Sequence, residues 1–286
     1  MTGVQPTVVA LLRDREAVAR LGEALRPGVP DAPPHAGATV LAVHRVDALR
    51  AALVDRPHAL VVVEQRDADG TPTDETVRAI RERCPAVVVL GYVALRRGVS
   101  SEVLAFARAG VHELIAGGID DMVVALRAAL TQAARRSTTD RLLAEITPLV
   151  PRPVLPLIRY CLEHAAEATS IADVARAIGV ARQTLVTRTR AARLPSPREL
   201  ATWCRLLVAA QHLVDTGRVD QAALALDFPS SNGFRNVLRR YTGLAVSDVL
   251  RGGVPCVLAA FRTALERART EADEAPERRA AHLATI

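Results

Sequence analysis

Five short, continuously apolar and β-branched runs alternate with amphipathic helical patterns over the first 130 residues, and no other feature constrains the fold as much. Thr7–Leu12, Thr39–Val43, Ala59–Val63, Ala86–Leu90 and Val111–Ile115 read as strands. Glu16–Leu25, Val46–Leu53, Thr73–Arg83, Ser100–Ala109 and Asp120–Ala134 read as helices, the third with Asp74 and Glu75 at its positive N-terminal end. A strand wetted on one face alternates apolar and polar residues, whereas a continuous apolar run needs cover on both faces. Five such β-α units predict an α/β doubly wound domain with a flavodoxin-like, five-stranded parallel sheet, and five strands allow the order 2-1-3-4-5. The Pro- and Gly-rich stretch Arg26–Ala38 is expected to form a long surface loop.

After Ala134 the strand signals stop. Ser137–Leu149 can extend the last helix until Pro148, Pro151, Pro153 and Pro156 break it. From Leu155 to Leu250 every segment reads as helix, and Cys256–Arg269 is a further amphipathic helix. The expected organisation is an α/β domain over 1–134, a helical and Pro-rich linker over 135–154, an all-α domain over 155–253, and a C-terminal helix with a frayed tail over 254–286.

Charge follows the same division. The formal net charge of +6 is unevenly spread: residues 1–130 carry −1, residues 131–253 carry +7, and the tail is balanced. Localised basicity on an otherwise neutral chain is the footprint of a polyanion-binding module. Every basic side chain other than histidine is Arg. The longest apolar run, Ala86–Leu95, is far short of the ~20 residues that span a bilayer, and Met1–Pro6 has no signal-peptide pattern. A cytoplasmic protein with no membrane partner is expected. Cys84, Cys161, Cys204 and Cys256 form no CxxC pair, so small buried thiols are expected instead of staples or zinc ligands. The histidines form no HxxxH or HExxH pair, and no nucleophile–base constellation emerges. No metal, cofactor or catalytic residue is expected.

Within the basic segment the sequence echoes itself at an offset of 48. Val174–Val180 (VARAIGV) aligns with Ala222–Phe228 (AALALDF), each with a small residue, Ala175 or Ala223, three before an apolar one. A small residue ahead of a tight turn lets two helices cross closely, as a helix-turn-helix requires. Helical periodicity places Leu185, Thr189 and Ala192 on the core side of the helix after the first turn. Gln183, Thr187 and Arg190 lie on its outward face, flanked by Arg182 and Val186. In the second helix Phe234, Leu238 and Tyr241 face inward, and Ser231, Asn232, Arg235, Asn236 and Arg239 face outward, with Ser230 as N-cap. Amides pair with adenine, Arg with guanine or phosphate, and Val186 suits a thymine methyl. The connecting helix, Arg198–Thr216, spans about 28 Å at 1.5 Å per residue, close to the ~34 Å between successive major-groove faces. Trp203 reads as its core residue.

The N-terminal half resembles a response-regulator receiver domain, through its order of elements and the run RPHALVVVE (Arg56–Glu64). In that family, phosphorylation uses two acids after the first strand, an aspartate ending the third, a hydroxyl ending the fourth and a lysine ending the fifth. This chain has Leu12-Arg13-Asp14, Val63-Glu64, Leu90-Gly91 and Ile115-Ala116-Gly117 there. A pseudo-receiver not switched by aspartyl phosphorylation is implied. Asp14, Glu64 and Asp67 are candidates for a residual acidic cluster, although Arg13 alongside is a poor neighbour for a divalent ion, and solvated loop acids are the favoured reading.

The basic segment resembles the AraC/XylS family of transcription regulators. The carrying stretches are SIADVARAIGV (Ser170–Val180), ARQTLVTRTR (Ala181–Arg190), RLLVAAQHLVDTG (Arg205–Gly217) and ALALDFPSSNGFRNVLRRYTGLAVSDV (Ala223–Val249). The resemblance implies two helix-turn-helix units joined by one long helix, with early positions of the second helix of each unit reading bases. The chain departs from the family at Ala181, Thr189 and Arg193 in the first unit and at Asp227 in the second. The resulting expectation is a sequence-specific regulator bound to double-stranded DNA through two adjacent major grooves. Its receiver-like domain would form a homodimer, or sense an effector or protein partner. The alternative is a protein-interaction adapter that keeps the helix-turn-helix fold without reading DNA.

Overall fold

The structure is a computed structural model and describes residues 7–28, 33, 35–54, 60–84, 87–94, 100–120, 122–167 and 169–283. Sequence expectations that touch residues 1–6, 29–32, 34, 56–59, 86, 121 and 284–286 lie, for those residues, outside the described set. The chain divides into two units, Met1–Ser137 and Thr138–Ile286.

The first unit alternates β1 (Thr7–Leu11), α1 (Arg15–Ala24), β2 (Thr39–Val43), α2 (Val46–Val54), β3 (Leu60–Glu64), α3 (Asp74–Arg83), β4 (Val88–Ala94), α4 (Ser100–Arg108), β5 (Glu113–Gly117) and the start of α5 (Val123–Ile146). All pairings are parallel, in the order β2-β1-β3-β4-β5, which is the expected sheet. The continuous apolar runs are explained by two packed faces. Val8, Ala10, Leu60, Val62 and Leu90 pack with Leu21 of α1 and Leu126 and Leu130 of α5. Their alternate neighbours Val9, Leu11, Val61, Val63 and Val89 pack with Leu49, Val77 and Phe106 of α2, α3 and α4. Successive side chains point to opposite faces, so a fully covered strand is apolar at every position.

Most strand ends differ from the sequence reading by one to four residues, and two of the differences have a visible cause. β4 runs on through Gly91 to Ala94 instead of stopping at Leu90. A Cβ at Gly91 would lie 2.6 Å from Phe106 and 2.7 Å from Leu114, so the glycine permits a close helix–strand approach and is no terminator. β5 begins at Glu113, not Val111. The His112 backbone donates to the Val89 carbonyl at 2.7 Å and its Nδ1 meets the Val89 N–H at 2.9 Å, so the paired ladder starts one residue on, at Leu90 and Glu113.

The second unit contains the C-terminal turns of α5, then α6 (Leu155–Glu163), α7 (Ile171–Ala177), α8 (Arg182–Ala191), α9 (Pro197–Thr216), α10 (Val219–Ala225), α11 (Ser231–Thr242) and α12 (Val246–Leu283), the last broken at the non-helical Gly253. α9 is its axis. Leu200, Trp203, Leu206, Leu207, Ala210 and Leu213 are all buried, and Trp203 packs edge-on to Tyr241 and tilted against Phe261. The same core takes in Leu142, Ile146, Val150 and Val154, from the stretch read as a linker, and Val257, Phe261 and Leu265 of α12, beyond the segment read as the domain. Cys161 and Cys204 are buried as expected, while Cys84 and Cys256 are only half-buried. Among the described residues no single helix is long and apolar enough to cross a membrane.

Candidate nucleic-acid interface

The two halves of the echo fold into the same local structure. Ser170 caps α7 by accepting from the Asp173 N–H at 3.2 Å. Ala175 and Ala223 are buried where α7 and α10 cross their partners, and each accepts one turn bond at 2.9 Å, from the Val180 N–H and the Phe228 N–H respectively. The turn residue is left-handed in both copies, Gly179 with φ 72° and Asp227 with φ 51°. Among the described residues the non-glycine positions with positive φ are Asp227 and Arg193. Both are places where the sequence departs from the glycine that its resemblance leads one to expect. Asp tolerates this backbone better than most residues.

α8 and α11 then present their faces as periodicity requires. Leu185, Thr189, Phe234 and Leu238 are buried, and Ala192 and Tyr241 half-buried. Thr189, in place of a larger core residue, is satisfied by donating to the Leu185 and Val186 carbonyls, both at 3.1 Å. Arg182, Gln183, Thr187 and Arg190 on α8 are exposed and Val186 is half-buried. On α11 Asn232, Arg235, Asn236 and Arg239 are exposed and Ser231 is half-buried. Ser230 is exposed and caps α11 through the Gly233 N–H at 3.0 Å, whereas Ala181 leaves α8 without a side-chain cap. The helix between the two pairs begins in a full Ser196–Glu199 capping box and runs for 20 residues, about 30 Å at 1.5 Å per residue.

Several arginines elsewhere in the unit are neutralised locally: Arg176 by Asp173 at 2.8 Å, Arg218 by Asp220 at 2.9 Å, Arg251 by Asp248 at 2.6 Å, Arg262 by Glu145 at 3.3 Å, and Arg193 by Asp273. Neither α8 nor α11 contains an acid. Among the described residues Arg182, Arg190 and Arg239 form no ion pair. Arg235 donates to Asn232 Oδ1 at 3.2 Å. Asp248, whose carboxyl the Ala245 N–H and Arg251 hold below the usual range, also feels the charge of Arg239. Sequence reasoning passed over Arg198, Arg205 and Arg240, which with Arg182 line one cleft of about 1080 Å³. The available signal was the seven-residue spacing of Arg198 and Arg205, two turns along one face of α9.

In the first unit each of the three acids is engaged by partners of its own. Asp14 caps α1, accepting from the Glu16 N–H at 2.9 Å, and stands 3.6 Å from Arg20. Glu64, only 6% exposed, accepts from the Arg13 backbone at 2.8 Å and from Arg13 Nε at 2.9 Å. This bond is the main reason that the Arg13 guanidinium is held above its ordinary pKa. Asp67 is 4% exposed and accepts from the Thr71, Asp69 and Val46 N–H groups at 2.9, 3.0 and 3.3 Å. Burial pushes its carboxyl up, but these donors bring it net below the usual range. Glu64 and Asp67 are therefore buried and hydrogen-bonded, not solvated loop acids. A buried carboxylate requires such donors or a cation. Among the described residues no three His, Cys, Asp or Glu side chains form a metal-binding group.

Residues 174–252 match the family model described as a helix-turn-helix domain. No curated protein matches the chain. Among solved structures it is similar to the response regulator DrrB of Thermotoga maritima, an OmpR/PhoB homolog, at 13% identity and a TM-score of 0.36, covering 66% of this chain and 88% of that one. It is also similar to the response regulator StyR, at 16% identity and a TM-score of 0.33, covering 69% and 97%. A third similarity is to full-length FixJ of B. japonicum, at 14% identity and a TM-score of 0.34, covering 84% and 98%.

Proposed function

We propose, from a C-terminal helix-turn-helix domain of the AraC type and an N-terminal unit with a receiver-like α/β fold, that the chain is a sequence-specific transcription regulator with two reading helices. In this account α8 and α11 enter adjacent major grooves. Gln183, Thr187, Asn232 and Asn236 meet base edges, Val186 meets a thymine methyl, and Arg182, Arg190, Arg235 and Arg239 meet guanine or phosphate. Ser230 and Ser231 bring the N-terminal end of α11 to a phosphate. The observation that carries the reading is the concentration of exposed amides and guanidiniums on these two faces, on helices that contain no acid of their own. Phosphate binding needs cations that no carboxylate has already neutralised.

In the same reading the receiver-like unit is a pseudo-receiver. It acts in the bacterial cytoplasm by forming a homodimer, or by sensing an effector or protein partner. What supports this is that Glu64, at the end of β3, is already occupied by Arg13. Incubation with a small phosphodonor and Mg²⁺ should leave it without a stoichiometric acyl phosphate. The principal test is selection of binding sites from a random duplex pool by the purified full chain, followed by titration from ~50 to ~300 mM salt. An enriched site with steeply salt-dependent affinity is expected. No enrichment, or binding indifferent to salt, refutes the reading.

A further inference from the structure

The cleft of about 1080 Å³ in the second unit is lined from both helix pairs. Arg182, the first residue of α8, and Pro229, just before the Ser230 cap of α11, both line it, so the starts of both outward-facing helices open on its rim. Arg198 and Arg205 of α9 and Arg240 of α11 line it as well. Arg205 lies 5.0 Å over the Phe228 ring and 3.6 Å from Asp227. Arg240 lies 5.3 Å over the Tyr241 ring. Among the described residues Arg182, Arg198 and Arg240 have no carboxylate partner. The two carboxylates in the lining are engaged, Glu167 with His164 Nδ1 at 2.9 Å and Glu199 with the Ser196 N–H and Oγ at 2.9 and 2.7 Å. Three unneutralised guanidiniums therefore face one cleft whose acids already have partners.

We propose that the stretch of duplex backbone between the two major-groove contacts lies along this cleft, and that Arg198 and Arg240 hold its phosphates. The inference rests on the reading of α8 and α11 as groove readers. If both enter consecutive turns, the backbone crossing between them passes in front of the span that joins the two helix starts, which is where the cleft opens. Contacts of this kind set register and affinity and carry no sequence information.

The test uses the full chain with Arg198→Ala and Arg240→Ala combined, the corresponding double Lys variant, and Arg267→Ala on α12 as an exposed control outside the lining. Each protein is titrated at several salt concentrations against its selected duplex and a scrambled one. The slope of log affinity on log salt should flatten by about 0.9 per arginine removed, nearly 2 in the double Ala variant. The change should be equal on both duplexes, so that their affinity ratio is kept. The double Lys variant should keep the wild-type slope, and Arg267→Ala should not move it. An unchanged slope in the double Ala variant, with normal wild-type binding, overturns the inference alone, as does a loss confined to the selected duplex. A wild-type protein that binds neither duplex overturns the functional reading and this inference with it.

Discussion

Substituting Gly91 by Ala adds one methyl group and should destabilise the first unit, although Gly→Ala usually does the opposite. The new Cβ would stand 2.6 Å from Phe106 Cε1, 2.7 Å from Leu114 Cδ2 and 3.3 Å from Phe106 Cδ1. Favourable carbon contacts lie at about 3.5–4.0 Å, so two side chains must each withdraw by about 1 Å inside a filled core. Overpacking of this kind costs about 1–3 kcal/mol. Restricting the unfolded chain returns ~0.4–1 kcal/mol, which leaves a net loss between ~0 and ~2.6 kcal/mol, centred near ~1.3 kcal/mol. Gly22, in the last turn of α1, has nothing within 4 Å of its added Cβ, and Gly22→Ala should stabilise by up to ~1 kcal/mol. Urea unfolding of the full chain, followed by far-UV circular dichroism, measures both midpoints. Trimming Leu114 to Ala in the Gly91→Ala background should recover part of the loss, because it removes one of the clashing atoms. A stabilising Gly91→Ala, or additivity of Gly91→Ala and Leu114→Ala within ~0.5 kcal/mol, would refute the steric argument.

Other outcomes follow from the same geometry. Arg235→Ala, which removes an exposed guanidinium from α11 without touching its core face, should weaken binding to the selected duplex by ~1–3 kcal/mol and relax preference at one position, measured by competition titration. The Asp67 carboxyl is held below its ordinary value, so its contribution to stability is full above the unfolded pKa of about 3.9 and is lost as pH falls through the lower folded value. Asp67→Asn should therefore reduce stability at neutral pH by about 1 kcal/mol and make the acid limb of the stability curve shallower. Burial raises the Cys161 thiol to about 12 and lifts that of Cys204 as well. A thiol-titrating reagent should thus reach at most the two half-buried cysteines, Cys84 and Cys256, in the native protein and all four after denaturation.

The sequence was most legible where one periodicity dominated. The five strands and their order could be read because each covered strand is apolar at every position, and a parallel crossover leaves few alternatives. The outward faces of α8 and α11 were legible because a 3.6-residue period separates Phe234 and Leu238 from Asn232 and Arg235 without ambiguity. Strand ends were less so. Gly91 looks like a terminator until Phe106 is placed beside it, and the His112 bonds to Val89 exist only between elements distant in sequence. The burial of Glu64 and Asp67 was missed for a similar reason. Their partners are a neighbouring strand end and three backbone N–H groups, and no local pattern marks a carboxylate that such donors will enclose. Residues 135–154 read as a linker because prolines punctuate them, yet Leu142, Ile146, Val150 and Val154 were available as an apolar stripe. The arginines lining the cleft fall on three helices, a convergence that only the packing of α8, α9 and α11 produces.

Interference mapping on the selected duplex, with methylated purines and ethylated phosphates, addresses the central claim most directly. Two clusters of interfering positions should appear on one face of the helix, about 10 base pairs apart. They should collapse when five base pairs are inserted between them, since a stiff α9 cannot follow a half-turn rotation. A single cluster, or two clusters that tolerate the insertion, would contradict the account.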